Sequence, residues 1–138
     1  MEIVMCTGCY NLYNKKYLNM EENHCPLPEC GKYDNLMEID ELIARPIQIL
    51  NRKGYRTLYC CSGHYGLEKY NKTPLAYIMF NCNTIPTTYP EGWHWGEECG
   101  HKHSIETTGE IDYFDSIRNL YKWVEELPKL NKEIINDN

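Results

Sequence analysis

Cys6-Thr7-Gly8-Cys9 and, after an interval of fifteen residues, Cys25-Pro26-Leu27-Pro28-Glu29-Cys30-Gly31 are the stretches that decide how the front of this chain folds. Residues 1–33 consist largely of cysteine, asparagine, tyrosine and turn formers, with too few aliphatic side chains to close a core of their own. A cross-link must stand in for that core. Each short cysteine loop aims two sulfurs at a common point, and four thiolates satisfy a tetrahedral ion such as zinc. With Cys6, Cys9, Cys25 and Cys30 filling all four positions, no place is left for water, so such an ion would hold structure and do no chemistry.

The spacing resembles a zinc ribbon, in which two hairpin knuckles clasp the metal. The second knuckle is two residues longer than the usual form. Pro26 and Gly31 suit its turn, and His24 is an alternative ligand should Cys25 face away.

The surrounding composition is compatible with this reading. The N-terminus, Met1 to Cys6, is too short and too acidic for a signal peptide, and no apolar run approaches the roughly eighteen residues of a membrane span. A reducing cytoplasm is therefore expected, where clustered cysteines point to metal before disulfides. The net charge of −6 opposes bulk attraction to nucleic acid. Apolar residues at 42% and charged residues at 25% suit a globular fold. Twelve tyrosines suit pockets and half-wet cores alike.

Beyond the cysteine loops, Ile39, Leu42, Ile43, Ile47 and Leu50 recur at helical spacing and predict a helix over about 38–53, kinked or restarted at Pro46 and closed by Gly54 at C′. Tyr55 to Cys61 reads as a strand running into the Ser62-Gly63 turn, and Leu75 to Cys82 as a second strand. Residues 83–100 carry two prolines and three glycines and predict an ordered loop with short strand pieces. Ser104 to Phe114 could form a hairpin around Gly109, and Ile117, Leu120, Tyr121, Val124 and Leu127 mark an amphipathic helix over about 115–127, ended by Pro128. The expectation is an α+β protein. It has an N-terminal zinc ribbon (1–35) packed on a small, mainly antiparallel sheet flanked by two helices (36–130), and a frayed tail (131–138).

The turn Cys61-Ser62-Gly63-His64 presents backbone amides and a hydroxyl that could cradle an anionic group, and Tyr59, Trp93, His94 and Trp95 could receive a ring. Together they suggest a site for a small anionic ligand of nucleotide type. If the gene belongs to a phage, such a site could sequester a host nucleotide signal. The plainer alternative is an ordinary Ser-Gly turn beside packed aromatics. Self-association is left open.

Residues 40–64, running through Leu50-Asn51-x-Lys53-Gly54-Tyr55-x-Thr57 into Cys61-Ser62-Gly63, resemble the methylase family that acts late in wybutosine synthesis on phenylalanine tRNA. Cys60 stands where that family has serine, and His64 where it has arginine. The resemblance implies S-adenosylmethionine as cofactor and methyl transfer as activity. The arrangement as a whole, with Ala76-Tyr77-Ile78-Met79-Phe80 after the turn, also looks like small proteins of low-GC bacteria and their phages, a likeness that carries no activity.

Two further chemistries are open. Cys61-x2-His64 with Cys99-x-His101-x-His103 could hold a second metal and support hydrolysis, with Glu97, Glu98 and Glu106 read as a solvated acidic surface. Cys60 or Cys61 could be a nucleophile assisted by His64. A protein-interaction adaptor would instead present Tyr121 and Trp123 to a partner.

Overall fold

The computed structural model describes residues 2–18, 24–31, 33, 35–61, 76–96 and 103–130. Its first sheet has three antiparallel strands, with β1 (Ile3–Cys6) between β2 (Leu12–Asn14) and β3 (Leu36–Ile39). The register sets Met5 opposite Leu12 on one side and Met37 on the other, and Cys6 opposite Leu36. Because side chains alternate along a strand, Ile3 and Met5 turn toward the core while Val4 and Cys6 share the opposite face. This central strand is buried from Val4 to Cys6, which is why Ile-Val-Met-Cys runs without a polar residue.

The expected helix over 38–53 begins later. Glu38 and Ile39 pair with β1, a short 3-10 turn covers Glu41–Ile43, and α1 spans Ala44–Arg52. Leu42 is consequently exposed, whereas Ile43, Ile47 and Leu50 are fully buried. Pro46 causes no kink. It lies in the first turn of α1, where backbone amides have no carbonyl to reach, so its missing N–H costs nothing there. Gly54 takes the expected C′ position at φ 100°, with the Gly54 and Tyr55 amides donating to the Asn51 and Leu50 carbonyls.

The second sheet is also antiparallel, in the order β4 (Thr57–Cys61), β5 (Tyr77–Phe80), β7 (Ser104–Thr107), β6 (Trp93–Trp95). Its inner face carries the row Cys60, Ile78, Ile105, Trp95 against the core. A bulge at Leu58 leaves that side chain exposed. The expected hairpin around Gly109 does not form. β7 pairs with β5 and β6, and Asp112 then caps α2 (Tyr113–Glu126), its carboxylate accepting from the Phe114 and Asp115 amides.

Both sheets and both helices share one core, in which Met5 and Ile39 meet Ile43, Ile47, Leu50, Phe80, Trp93, Leu120 and Val124. Lys53 fastens the helices to one another. Its ammonium donates to the Val124, Glu125 and Leu127 carbonyls, orphan acceptors at the end of α2. No helix among the described residues is long and apolar enough to cross a membrane.

Candidate metal centre

Cys6 ends β1 and Cys9 lies in the turn that leads to β2. That loop is closed by the Tyr10 amide on the Cys6 carbonyl (2.7 Å) and the Cys6 amide on the Asn11 carbonyl (3.0 Å). Tyr10 takes a left-handed conformation, φ 65°, uncommon for a residue with a Cβ. The Gly8 amide donates to Cys6 Sγ at 3.3 Å. The second loop repeats the device: the Leu27 amide donates to Cys25 two residues before it. Its two extra residues are absorbed by a turn in which the Leu27 carbonyl accepts from the amides of both Cys30 and Gly31, at 3.0 and 2.9 Å. Gly31, at φ 55°, supplies the left-handed residue that ends it.

The loops bring the four sulfurs within 4.8 Å of one another. Cys6 and Cys30 are 3.6 Å apart and Cys9 and Cys25 3.7 Å. A disulfide would need about 2.05 Å. Sulfurs placed tetrahedrally at a zinc–sulfur length of about 2.3 Å lie about 3.8 Å apart, close to these two separations. The chain thus carries a group of four cysteines that could hold a metal ion, and among the described residues it is the only cluster of this kind. Cys25 is 1% exposed and faces the cluster; His24 instead stacks on Tyr33 with ring centroids 4.9 Å apart.

Tyr13, which no motif in the sequence points to, completes the surroundings. Its hydroxyl oxygen is 3.1 Å from Cys25 Sγ. Burial opposes ionisation of Cys25, yet hydrogen bonds from the Tyr13 hydroxyl and the Leu27 amide, with those of Cys9 and Cys6, bring its pKa down to about 7. Burial pushes the Cys9 thiol up to about 12. Only the register could have revealed Tyr13: it pairs with Val4, which shares a strand face with Cys6.

The residues expected around a ligand are distributed differently. β4 and β6 are opposite edges of the sheet, three strand spacings or about 14 Å apart. Trp93 is 2% exposed, its indole N–H donating to the Ser116 carbonyl at 2.9 Å. Trp95 faces the core and meets Tyr89 edge-on. His94 points to the other face, with Nε2 3.1 Å from Glu106 Oε1. The Glu106 side chain, read from sequence as solvated, is only 13% exposed. Register places Cys61, Tyr77, Glu106 and His94 in one row across that face. Tyr59 pairs with Met79 in β4; its side chain, and all of Ser62, Gly63 and His64, lie outside the described residues.

Of the residues considered for a second metal, His64, Cys99 and His101 also lie outside the described residues, as do Glu97 and Glu98, read from sequence as an acidic surface. Cys61 and His103 are at opposite ends of the sheet, Cys61 beside Tyr77 at the start of β5 and His103 bonded to Phe80 at its end. Trp123, considered for a partner surface, is buried with its indole N–H on Thr88 Oγ1, and the Tyr121 hydroxyl donates to the Leu42 carbonyl. Against known protein families, curated proteins and solved structures the chain finds no match.

Proposed function

We propose that this protein is a zinc-clamped α+β domain in which Cys6, Cys9, Cys25 and Cys30 bind one zinc ion and hold the N-terminal sheet in shape. The observation that carries this reading is the sulfur geometry, with all four atoms mutually within 4.8 Å on two loops that each direct a backbone amide at a thiolate. With four protein ligands the ion organises the fold and leaves catalysis to other residues. The test is native mass spectrometry of the untreated protein, followed by metal analysis. One zinc per chain is expected; an apo mass, or iron in place of zinc, would overturn the assignment.

A second reading concerns the sheet face opposite the core. The row from Cys61 through Tyr77 and Glu106 to His94 favours a small ligand of nucleotide type lying across the strands, with its ring toward Tyr77 and His94 and its anionic end toward the Cys61 edge of the row. Trp93 drops out of this reading, because its ring belongs to the core. Thermal-shift screening against nucleotides and S-adenosylmethionine tests it. A shift with a nucleotide that disappears in His94→Ala supports the face, and a shift with S-adenosylmethionine alone would favour the methylase resemblance. No shift with any of them would remove the reading.

A further inference from the structure

The Cys25 sulfur is the end of a hydrogen-bonded chain that begins on α1. Arg52 Nη2 donates to Asn11 Oδ1 at 2.7 Å, Asn11 Nδ2 reaches the Tyr13 hydroxyl at 3.4 Å, and that hydroxyl lies 3.1 Å from Cys25 Sγ. Every link has a forced direction when Cys25 binds a metal. A metal-bound thiolate only accepts, so the Tyr13 hydroxyl must donate to it. A guanidinium only donates, so the Asn11 carbonyl oxygen faces Arg52 and its NH₂ faces Tyr13. All donors therefore point from the cation toward the anion, the arrangement in which successive hydrogen bonds polarise and strengthen one another.

We infer that Tyr13 is a positioning residue for the metal centre, oriented from α1 through Asn11 and Arg52, and that its hydroxyl protects the metal-bound Cys25 thiolate from electrophiles and oxidants. The inference rests on the zinc assignment above. A thiolate that accepts a hydrogen bond gives less charge to its metal and is a weaker nucleophile, so its bond to the ion should be harder to break by chemical attack. Among the four sulfurs, only Cys25 is given a side-chain hydroxyl contact by the described hydrogen bonds. The chain also crosses from α1 to the first cysteine loop and β2, so the stability of the centre depends on how the rest of the domain holds Arg52.

The experiment uses the full chain, loaded with cobalt for spectroscopy and with zinc for kinetics. In Tyr13→Phe the thiolate-to-cobalt charge-transfer band should move to lower energy, and zinc release driven by N-ethylmaleimide should quicken about 10-fold, the lower end of what outer-sphere partners of metal ligands contribute. Arg52→Met should move both readouts the same way by less. A Tyr13→Phe protein with unchanged band and release rate overturns the inference, even if it melts at a lower temperature, because loss of packing alone leaves the charge-transfer energy in place. Should Tyr13→Phe not fold, Arg52→Met carries the test, and an unaltered band there overturns the chain. A wild-type protein that takes up neither ion overturns the zinc assignment itself, an outcome distinct from the first two.

Discussion

Gln48 Nε2 donates to the carbonyl of Tyr10 at 2.9 Å, joining a buried position on α1 to the strained residue of the first cysteine loop. Gln48 is 6% exposed, and its own oxygen accepts from Arg45 Nη1 at 2.5 Å, so both ends of the amide are held. The Arg56 guanidinium sits 5.5 Å from the centre of the Tyr10 ring and fixes the same residue from a third direction. Gln48→Leu would leave the Tyr10 carbonyl without this partner in a partly buried site, at a cost of about 1–3 kcal/mol. Denaturant unfolding should show that loss, and zinc should leave faster. A variant of unaltered stability would mean that the loop holds itself.

Metal removal should be felt well beyond the cysteines. Met5 on β1 and Ile39 on β3 belong to the common core, so a sheet that loosens when its clamp is lost exposes apolar surface of the whole domain. Calorimetry with and without a strong chelator should show a large fall in Tm, and Cys25→Ser should reproduce it in the presence of zinc. An unchanged transition after complete chelation would show that packing alone maintains the N-terminal sheet.

Cys60 gives a pH dependence of known sign. Burial first, then the nearby charges of Asp40 and Cys61, push its thiol up to about 12 from an ordinary value of 9.0. The unfolded chain releases this proton at lower pH than the folded one, so the stabilisation is complete below about pH 9 and is lost as the pH rises from there through 12. Unfolding at pH 8 and pH 10.5 should differ in that direction, and Cys60→Ala should reduce the difference. In the native protein at pH 8, iodoacetamide should label exposed Cys82 well before Cys60.

Lys53→Met removes the ammonium that closes the end of α2. Hydrogen bonds to a charged group contribute about 1.5–3 kcal/mol, and three carbonyls lose a donor together. A fall in Tm of about 6 °C is expected for a domain of this size. Hydrogen exchange should show the loss first in the amides of the last turn of α2; protection there equal to wild type would show that the Leu127 amide on the Trp123 carbonyl is enough to hold it.

The four cysteines that could hold a metal are legible in the sequence because their chemistry is local. A knuckle is a few residues long, its spacing is set by the reach of two sulfurs to one point, and nothing else in residues 1–33 could replace a core. Gly54 as a helix stop and the amphipathic stripe of α2 are local for the same reason, each fixed by the conformations of neighbouring residues. The start of α1 is not legible in this way. Ile39 continues the helical spacing of Ile43 and Ile47, and only its pairing with β1, more than thirty residues earlier, makes it part of a strand.

What surrounds the sulfurs is likewise a product of tertiary structure. Tyr13, Asn11 and Arg52 are inconspicuous in sequence, and they converge on Cys25 because a strand register and a helix packed on that sheet carry side chains to one place. The same holds for Trp93 and His94, adjacent residues sent to opposite faces by the pleat, one into the core and the other to Glu106. Sequence alone determined which atoms can hold a metal, since spacing along a short loop limits where they can go. Which residues support those atoms was decided only by the fold, because hydrogen bonds between distant segments depend on register and packing that no local pattern encodes.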